Sequence, residues 1–188
     1  IDERDISFET LKSPALRDEI SKLTFVTATD GNHGRGVAWT AHQLGAKSVV
    51  YMPKGSAAER LENIRAAGAE ASITEYNYDD AVRFAAAQAE KNGWVMVQDT
   101  AWQGYEDIPR WIIQGYSTMS FEAYEQLPQR PTHIFVQAGV GSLATSVTGF
   151  FSAVYPEDTP VISVVEPRLA DCVFRTAQAD DGVLHPVS

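Results

Sequence analysis

The residues with the most chemical content form one unbroken stretch, Thr27-Ala28-Thr29-Asp30-Gly31-Asn32-His33-Gly34. It runs from a β-branched segment directly into a helix start. Main-chain N–H groups at a helix start lack intrahelical partners and point outward, so they attract anionic or acceptor groups. Gly31 and Gly34 carry no Cβ and let a ligand come close to the backbone. Asn32 adds an amide that both donates and accepts. The plainer reading is a strand-to-helix turn in which Asp30 is the N-cap. His33 reads as a helix-start residue, because no metal-ligand partners stand at a useful spacing from it.

A second stretch, Gln137-Ala138-Gly139-Val140-Gly141-Ser142-Leu143, also follows a strand candidate and opens a helix. Its successive N–H groups and the Ser142 hydroxyl suit a phosphate. No Lys-Ser/Thr pair follows, and no third Gly completes the dinucleotide fingerprint, so neither of those nucleotide patterns is met. Taken alone, the Gly-x-Gly turn is equally a tight packing turn. Two carboxylates stand at further strand ends, Asp99 after Val95–Gln98 and Glu166 after Val161–Val165. Each is either a contact for a substrate amine or a helix cap. Asp99 reads as functional, because Thr100-Ala101-Trp102-Gln103-Gly104 continues it as a polar and aromatic loop; for Glu166 the two readings balance. Glu59, Arg60, Glu62 and Arg65 read as a solvated helix face.

These loops need elements to hold them. Short β-branched runs alternate with Ala-rich helical stretches along almost the whole chain, the pattern of a parallel sheet with helices on its faces. The predicted strands are 24–29, 48–52, 71–75, 95–98, 134–137 and 161–165, and their continuous apolar character predicts cover on both sides. A helix is expected from Gly34 to Leu44 with its stop at Gly45. Ser56 and Glu59 have capping-box spacing for a second, which Gly68 ends. Asn77 or Asp79 caps a third that closes near Lys91 and Gly93. The fold class is therefore α/β, an open, mostly parallel twisted sheet with helices on both faces. In such sheets ligands bind beyond the carboxyl ends of the strands, where both Gly-containing loops fall. The segment 127–132, with Pro128 and Pro131, is the best candidate joint, although it reads better as a helix-to-strand link than as a domain boundary. No internal repeat or low-complexity tract is present.

Composition removes several classes. The 188 residues allow one sizeable domain or two small ones, and 44% hydrophobic with 21% charged residues is ordinary for a folded soluble protein. With 25 Asp and Glu against 15 Lys and Arg, the net charge of −10 argues against nucleic acid or an anionic membrane as the main partner. Residues 132–156 contain no charged side chain and are long enough to span a bilayer. Their glycines, serines and threonines instead predict a strand, a Gly-rich turn and a helix. The single Cys172 cannot make an intrachain disulfide, which fits a reducing compartment. The chain starts at Ile1 without a visible secretory leader.

The residues also resemble a known family. Thr29-Asp30-Gly31-Asn32-His33-Gly34 is similar to the Ser-x-Gly-Asn-His-Gly loop of pyridoxal-phosphate enzymes of the tryptophan synthase β and serine/threonine dehydratase superfamily, and Ala138–Ser142 is similar to their phosphate loop. Within that superfamily the chain looks most like the diaminopropionate ammonia-lyases, through Thr27–Trp39, Tyr51–Ser56, Val97–Trp102 and Val165-Glu166-Pro167. Asp30 departs from the ordinary dehydratases, which carry a small residue there.

The resemblance implies elimination of both amino groups of 2,3-diaminopropionate to give pyruvate and ammonia, with pyridoxal 5'-phosphate as cofactor. It places Asn32 on the cofactor ring hydroxyl and Gly139, Val140, Gly141, Ser142 and Leu143 at its phosphate. It makes Asp30 a base toward the D isomer and gives Asp99 the binding or orientation of a substrate amine. A cytoplasmic homodimer acting on a small amino acid is the expected setting, with no metal, nucleic-acid or membrane partner. The family's Schiff-base lysine precedes the Asn-containing loop in a Phe-Lys context, and neither Lys12 nor Lys22 has it. Residues 1–188 are therefore expected to be a partial catalytic region, without the Schiff-base lysine segment and the C-terminal part, and inactive alone. The alternatives are a serine or threonine dehydratase-like ammonia-lyase and a non-catalytic α/β module that binds a phosphorylated ligand.

Overall fold

Thr24-Phe25-Val26-Thr27-Ala28 extends as β1, and its last three residues are fully buried. Its neighbours in the sheet were identified in a computed structural model that describes residues 6–185 and 187. β1 pairs in parallel with β2, Lys47–Met52, and on its other side with β4, Val95–Met96; β2 pairs in parallel with β3, Glu70–Ile73. The order is β3-β2-β1-β4. Short helices α1, Phe8–Leu11, and α2, Pro14–Ile20, precede β1. The crossovers are α3, Asn32–Leu44, α4, Ala58–Ala66, and α5, Tyr78–Asn92.

Alternation along β2 explains the two-sided cover. Val50 and Met52 point to one face, where they pack with Ala38 of α3 and Ile64 of α4. Tyr51 points to the other and meets Phe84 of α5 edge-on, with ring centroids 4.9 Å apart. Ala81, Ala85 and Ala89 repeat every fourth residue and form the buried stripe of α5. Small side chains let the helices lie close to the sheet. Gly34 is the extreme case, since a Cβ there would sit 2.2 Å from Thr29 Cγ2 and 3.0 Å from Val50 Cγ1. Thr29 is itself held by hydrogen bonds, so it cannot swing away. Gly34→Ala is accordingly expected to destabilise the fold by about 1–3 kcal/mol, the usual cost of overpacking, read as a lowered urea midpoint with an unchanged slope.

The chain divides after Gln98 into a second unit that begins at Asp99. There α6, Asp107–Gln126, leads to β5, His133–Gln137, then α7, Ser142–Val154, β6, Val161–Val165, and α8, Cys172–Ala179. β5 and β6 are parallel, with Val136 opposite Val164. Val136, Ala138, Ala144, Val147 and Phe151 form the core of this unit.

The α/β class and the helix-on-both-faces arrangement are as read from the sequence. Four details differ. The division falls at 98/99 and not at the best candidate joint, 127–132, which links α6 to β5 as the preferred reading of that segment had it. The Ser56–Glu59 capping box does not form: Ala57 is the N-cap of α4, and the Ser56 hydroxyl donates to the Pro53 carbonyl at 2.8 Å, closing the preceding turn on itself. Predicted strand ends at Thr29, Glu75 and Gln98 run on beyond the paired residues. The continuous apolar runs of β5 and β6 are covered on one face only, since Phe135, 73% exposed, and its same-face neighbours Val161 and Val165 are open. The uncharged stretch 132–156 is β5, the Gly-rich turn and α7. Among the described residues no helix is long and apolar enough to cross a membrane.

Candidate active site

In the first unit, the loop between β1 and α3 is shaped by Thr29. The Gly31 N–H donates to Thr29 Oγ1 at 3.0 Å and the Gly34 N–H at 3.3 Å. Gly31 is the N-cap residue and has no side chain with which to cap, so the buried Thr29 hydroxyl supplies that function from two residues upstream. Asp30 is not the cap. Its carboxylate, 71% exposed, turns outward to Arg60 of α4, 3.5 Å away, and Arg60 Nη1 also donates to the Asp30 carbonyl at 3.0 Å. Asn32 is exposed at the first position of α3, whose first turn contains no acidic side chain. His33 Nε2 lies 2.8 Å from the Val97 carbonyl. A carbonyl can only accept, so Nε2 carries the proton in this contact, which ties the helix start to the residue just after β4.

Beneath the loop lies Gln98, fully buried. β4 pairs with β1 only along Phe25–Val95 and Val26–Met96, leaving the next N–H of β1 without a ladder partner on that side. The Gln98 side chain replaces the missing strand: Oε1 accepts from the Ala28 N–H at 3.0 Å and from Thr27 Oγ1 at 2.9 Å, while Nε2 donates to the Tyr78 hydroxyl at 3.1 Å. A buried N–H left without a partner would be costly, so this amide fixes the strand from which Asp30 and Asn32 emerge.

In the second unit, β5 ends at Gln137 and α7 begins at Ser142. Gly141, at φ +92°, makes the turn. That left-handed conformation favours glycine. The first turn of α7 holds no acidic residue and no side chain caps it. A Cβ at Gly139 would meet nothing within 4 Å, so the backbone there is open to an approaching group. The Ser142 hydroxyl, read from the sequence as part of a phosphate cradle, donates instead to the Asp99 carbonyl at 2.6 Å. This bond joins two of the sequence-predicted residues through the main chain of Asp99. Burial first, and then the nearby Asp99 carboxylate, push the Tyr116 phenol above its ordinary range.

Glu166 is a cap. Its carboxylate accepts from the Val173 N–H at 2.9 Å and the Phe174 N–H at 2.8 Å, in the first turn of α8. Beside it Cys172 Sγ donates to the Gly139 carbonyl at 3.3 Å, so α8 also steadies the Gly-rich loop. Burial, followed by the Glu166 charge, raises the Cys172 thiol above its usual value and keeps it protonated for that contact. Thus the first unit brings Asp30 and Asn32 onto one loop, and the second brings Asp99 and residues 139–143 together. Sequence reasoning missed Thr29, Gln98 and Arg60. The signal available for Thr29 was a hydroxyl two residues before a glycine N-cap; for Gln98 it was an amide just beyond a very short strand.

The Gly139–Leu143 loop fits a phosphate: its helix-start N–H groups are uncapped, no carboxylate lies in that first turn, and a glycine leaves the approach clear. An exposed Asn32 amide fits a ring hydroxyl, to which it can donate or from which it can accept. The chain belongs to the family of pyridoxal-phosphate dependent enzymes, whose pattern matches residues 7–187. Within that family, it is 56% identical to the diaminopropionate ammonia-lyase of Salmonella typhimurium, over 100% of this chain and 47% of that relative. The diaminopropionate ammonia lyase from Escherichia coli in complex with D-serine matches with a TM-score of 0.91 at 46% identity, covering 100% of this chain and 48% of that one. More distant is an L-threonine dehydratase of Salmonella typhimurium, 30% identical over 92% of this chain and 31% of the relative. The chain spans about half the length of the diaminopropionate ammonia-lyases it matches. The family expected from the resemblance and the α/β fold expected from the alternation of strand and helix segments are both borne out.

Proposed function

We propose that this chain is the part of a diaminopropionate ammonia-lyase that carries the Asn-containing loop and the phosphate loop. The full-length protein would convert 2,3-diaminopropionate and water to pyruvate and two ammonia molecules. The observation that carries this reading is an exposed carboxylate, Asp30, in the loop where ordinary dehydratases have a small residue, in a chain 56% identical to a diaminopropionate ammonia-lyase. A substrate with two ammonium groups is matched by carboxylates better than by a neutral loop.

When bound, pyridoxal phosphate supplies a sink for the electrons released at the substrate Cα. Main-chain N–H groups of residues 139–143 would hold its phosphate, and the Asn32 amide would meet its ring hydroxyl. Asp30 takes the Cα proton of the D isomer on a carboxylate oxygen. Asp99 orients a substrate ammonium, its main chain fixed by Ser142. His33, Thr29 and Gln98 hold the loop without touching substrate. Neither lysine before Asp30 serves as the covalent anchor: Lys22 precedes β1, at the end of the strand opposite the loop, and is paired with Glu19 at 2.6 Å, while Lys12 lies over the Phe8 ring. That anchor belongs to a segment outside these 188 residues. The same reading makes the enzyme a cytoplasmic homodimer.

The test is a coupled pyruvate assay of the full-length protein with D- and L-diaminopropionate, serine and threonine. The expected result is diaminopropionate turnover well above that of either hydroxy amino acid. Preference for threonine or serine would make the protein a dehydratase, and cofactor binding without pyruvate would make it a binding module.

A further inference from the structure

Arg60 belongs to a charged helical run that reads from sequence as a solvated face, and the structure gives it a different place. Its side chain leaves α4 and crosses the main chain of Gly31, whose Cβ position lies 3.5 Å from Arg60 Cδ. It ends with Nη1 3.0 Å from the Asp30 carbonyl and 3.5 Å from the Asp30 carboxylate. Asp30, Lys54, Ser56 and Arg60 line one open pocket of about 370 Å³. Lys54 directs its ammonium to Glu75, at 3.4 Å. Arg60 therefore supplies the cation that contacts Asp30.

An exposed pair of this kind contributes little to folding, because both ions stay hydrated and two long side chains must be ordered. Its effect lies in placement. Nη1 of the guanidinium meets two different oxygens of one residue, the main-chain carbonyl at 3.0 Å and a carboxylate oxygen at 3.5 Å, so one cation ties down both the loop backbone and its side chain. We infer that Arg60 is a positioning residue that sets the reach of the Asp30 carboxylate and thereby favours the D over the L substrate isomer. This rests on the proposed role of Asp30 as base toward the D isomer.

The experiment compares Arg60→Ala, Arg60→Lys and Asp30→Asn in the full-length, cofactor-loaded protein. Arg60→Ala is expected to lower kcat/KM for D-diaminopropionate by about 10–100-fold, the scale of a small misplacement of a reacting group, and for the L isomer by less than about twofold. Arg60→Lys falls between, since it keeps the cation and loses the reach and planar shape of the guanidinium. Cofactor affinity and thermal midpoint stay at the parent values, while amide exchange at Asp30 and Gly31 accelerates in Arg60→Ala. If Asp30→Asn is selective for the D isomer but Arg60→Ala affects neither isomer, or both equally, the inference on Arg60 fails alone. If Asp30→Asn shows no selectivity, the base assignment fails and the inference with it.

Discussion

Asp30→Asn in the full-length protein is expected to cut turnover of D-diaminopropionate by roughly 10²–10⁴-fold, the usual contribution of a positioned general base, while the L isomer loses far less. The substitution keeps the side chain's shape and removes its ability to take a proton. It leaves the folding determinants of the loop alone, because the helix start is capped by Thr29 and the loop is anchored by Gln98 and His33. The Asp30 side chain is outside that network, and the Arg60 bond to its main-chain carbonyl survives the substitution, so an activity loss in this variant reports chemistry. Small, equal losses with both isomers, measured as initial rates of pyruvate release, would leave Asp30 as a surface residue of the pocket.

The second large effect is expected at Gly141. Its φ of +92° is unfavourable for any residue with a Cβ and worse for a β-branched one. Such strain costs about 1–3 kcal/mol. The loop relieves it by moving, and the helix-start N–H groups move with it. Gly141→Val should therefore weaken cofactor binding by about 5–150-fold, the same free energy expressed as affinity. Space alone is not the obstacle, as the nearest atom to a Cβ would be Val173 Cγ2 at 4.0 Å. Fluorescence titration with pyridoxal phosphate reads the affinity, and a denaturation midpoint shows that the variant is folded. Parental affinity in a folded variant would remove residues 139–143 from the cofactor site.

What could be read from the sequence was what depends on neighbours in the chain. Alternating apolar segments located the six strands found among the described residues, and Gly45 and Gly93 ended α3 and α5 at positive φ, as expected of glycine C-caps. Asn77 capped α5 by accepting from the Asp80 N–H at 2.9 Å. The two glycine loops were visible because strand, turn and helix start are consecutive. The supports beneath them were not visible. Gln98 follows a strand of only two paired residues, and nothing local says that its amide completes another strand. Arg60 is 30 residues from Asp30 and sits in a run whose spacing suggests only solvent contact. Glu166 had two equal readings until α8 was in place to receive its caps. Strand ends were overestimated for a related reason: apolar composition continues past the point where a pairing partner runs out.

The side-chain bonds from Gln98 to β1 also bear on the order in which the first unit is assembled. β1 and β2 are paired across one short crossover, and β3 joins β2 in the same way. The Gln98 bonds to Thr27 and Ala28 span 71 and 70 residues, and the His33 contact with Val97 spans 64. Closing a longer loop carries more entropy, so the near pairings form readily and β4 with its Gln98 docks against the exposed edge of β1 last. During synthesis that edge stays open until residue 98 has left the ribosome. The strand that leads into Asp30 and Asn32 is thus paired early with β2 and locked on its β4 side late.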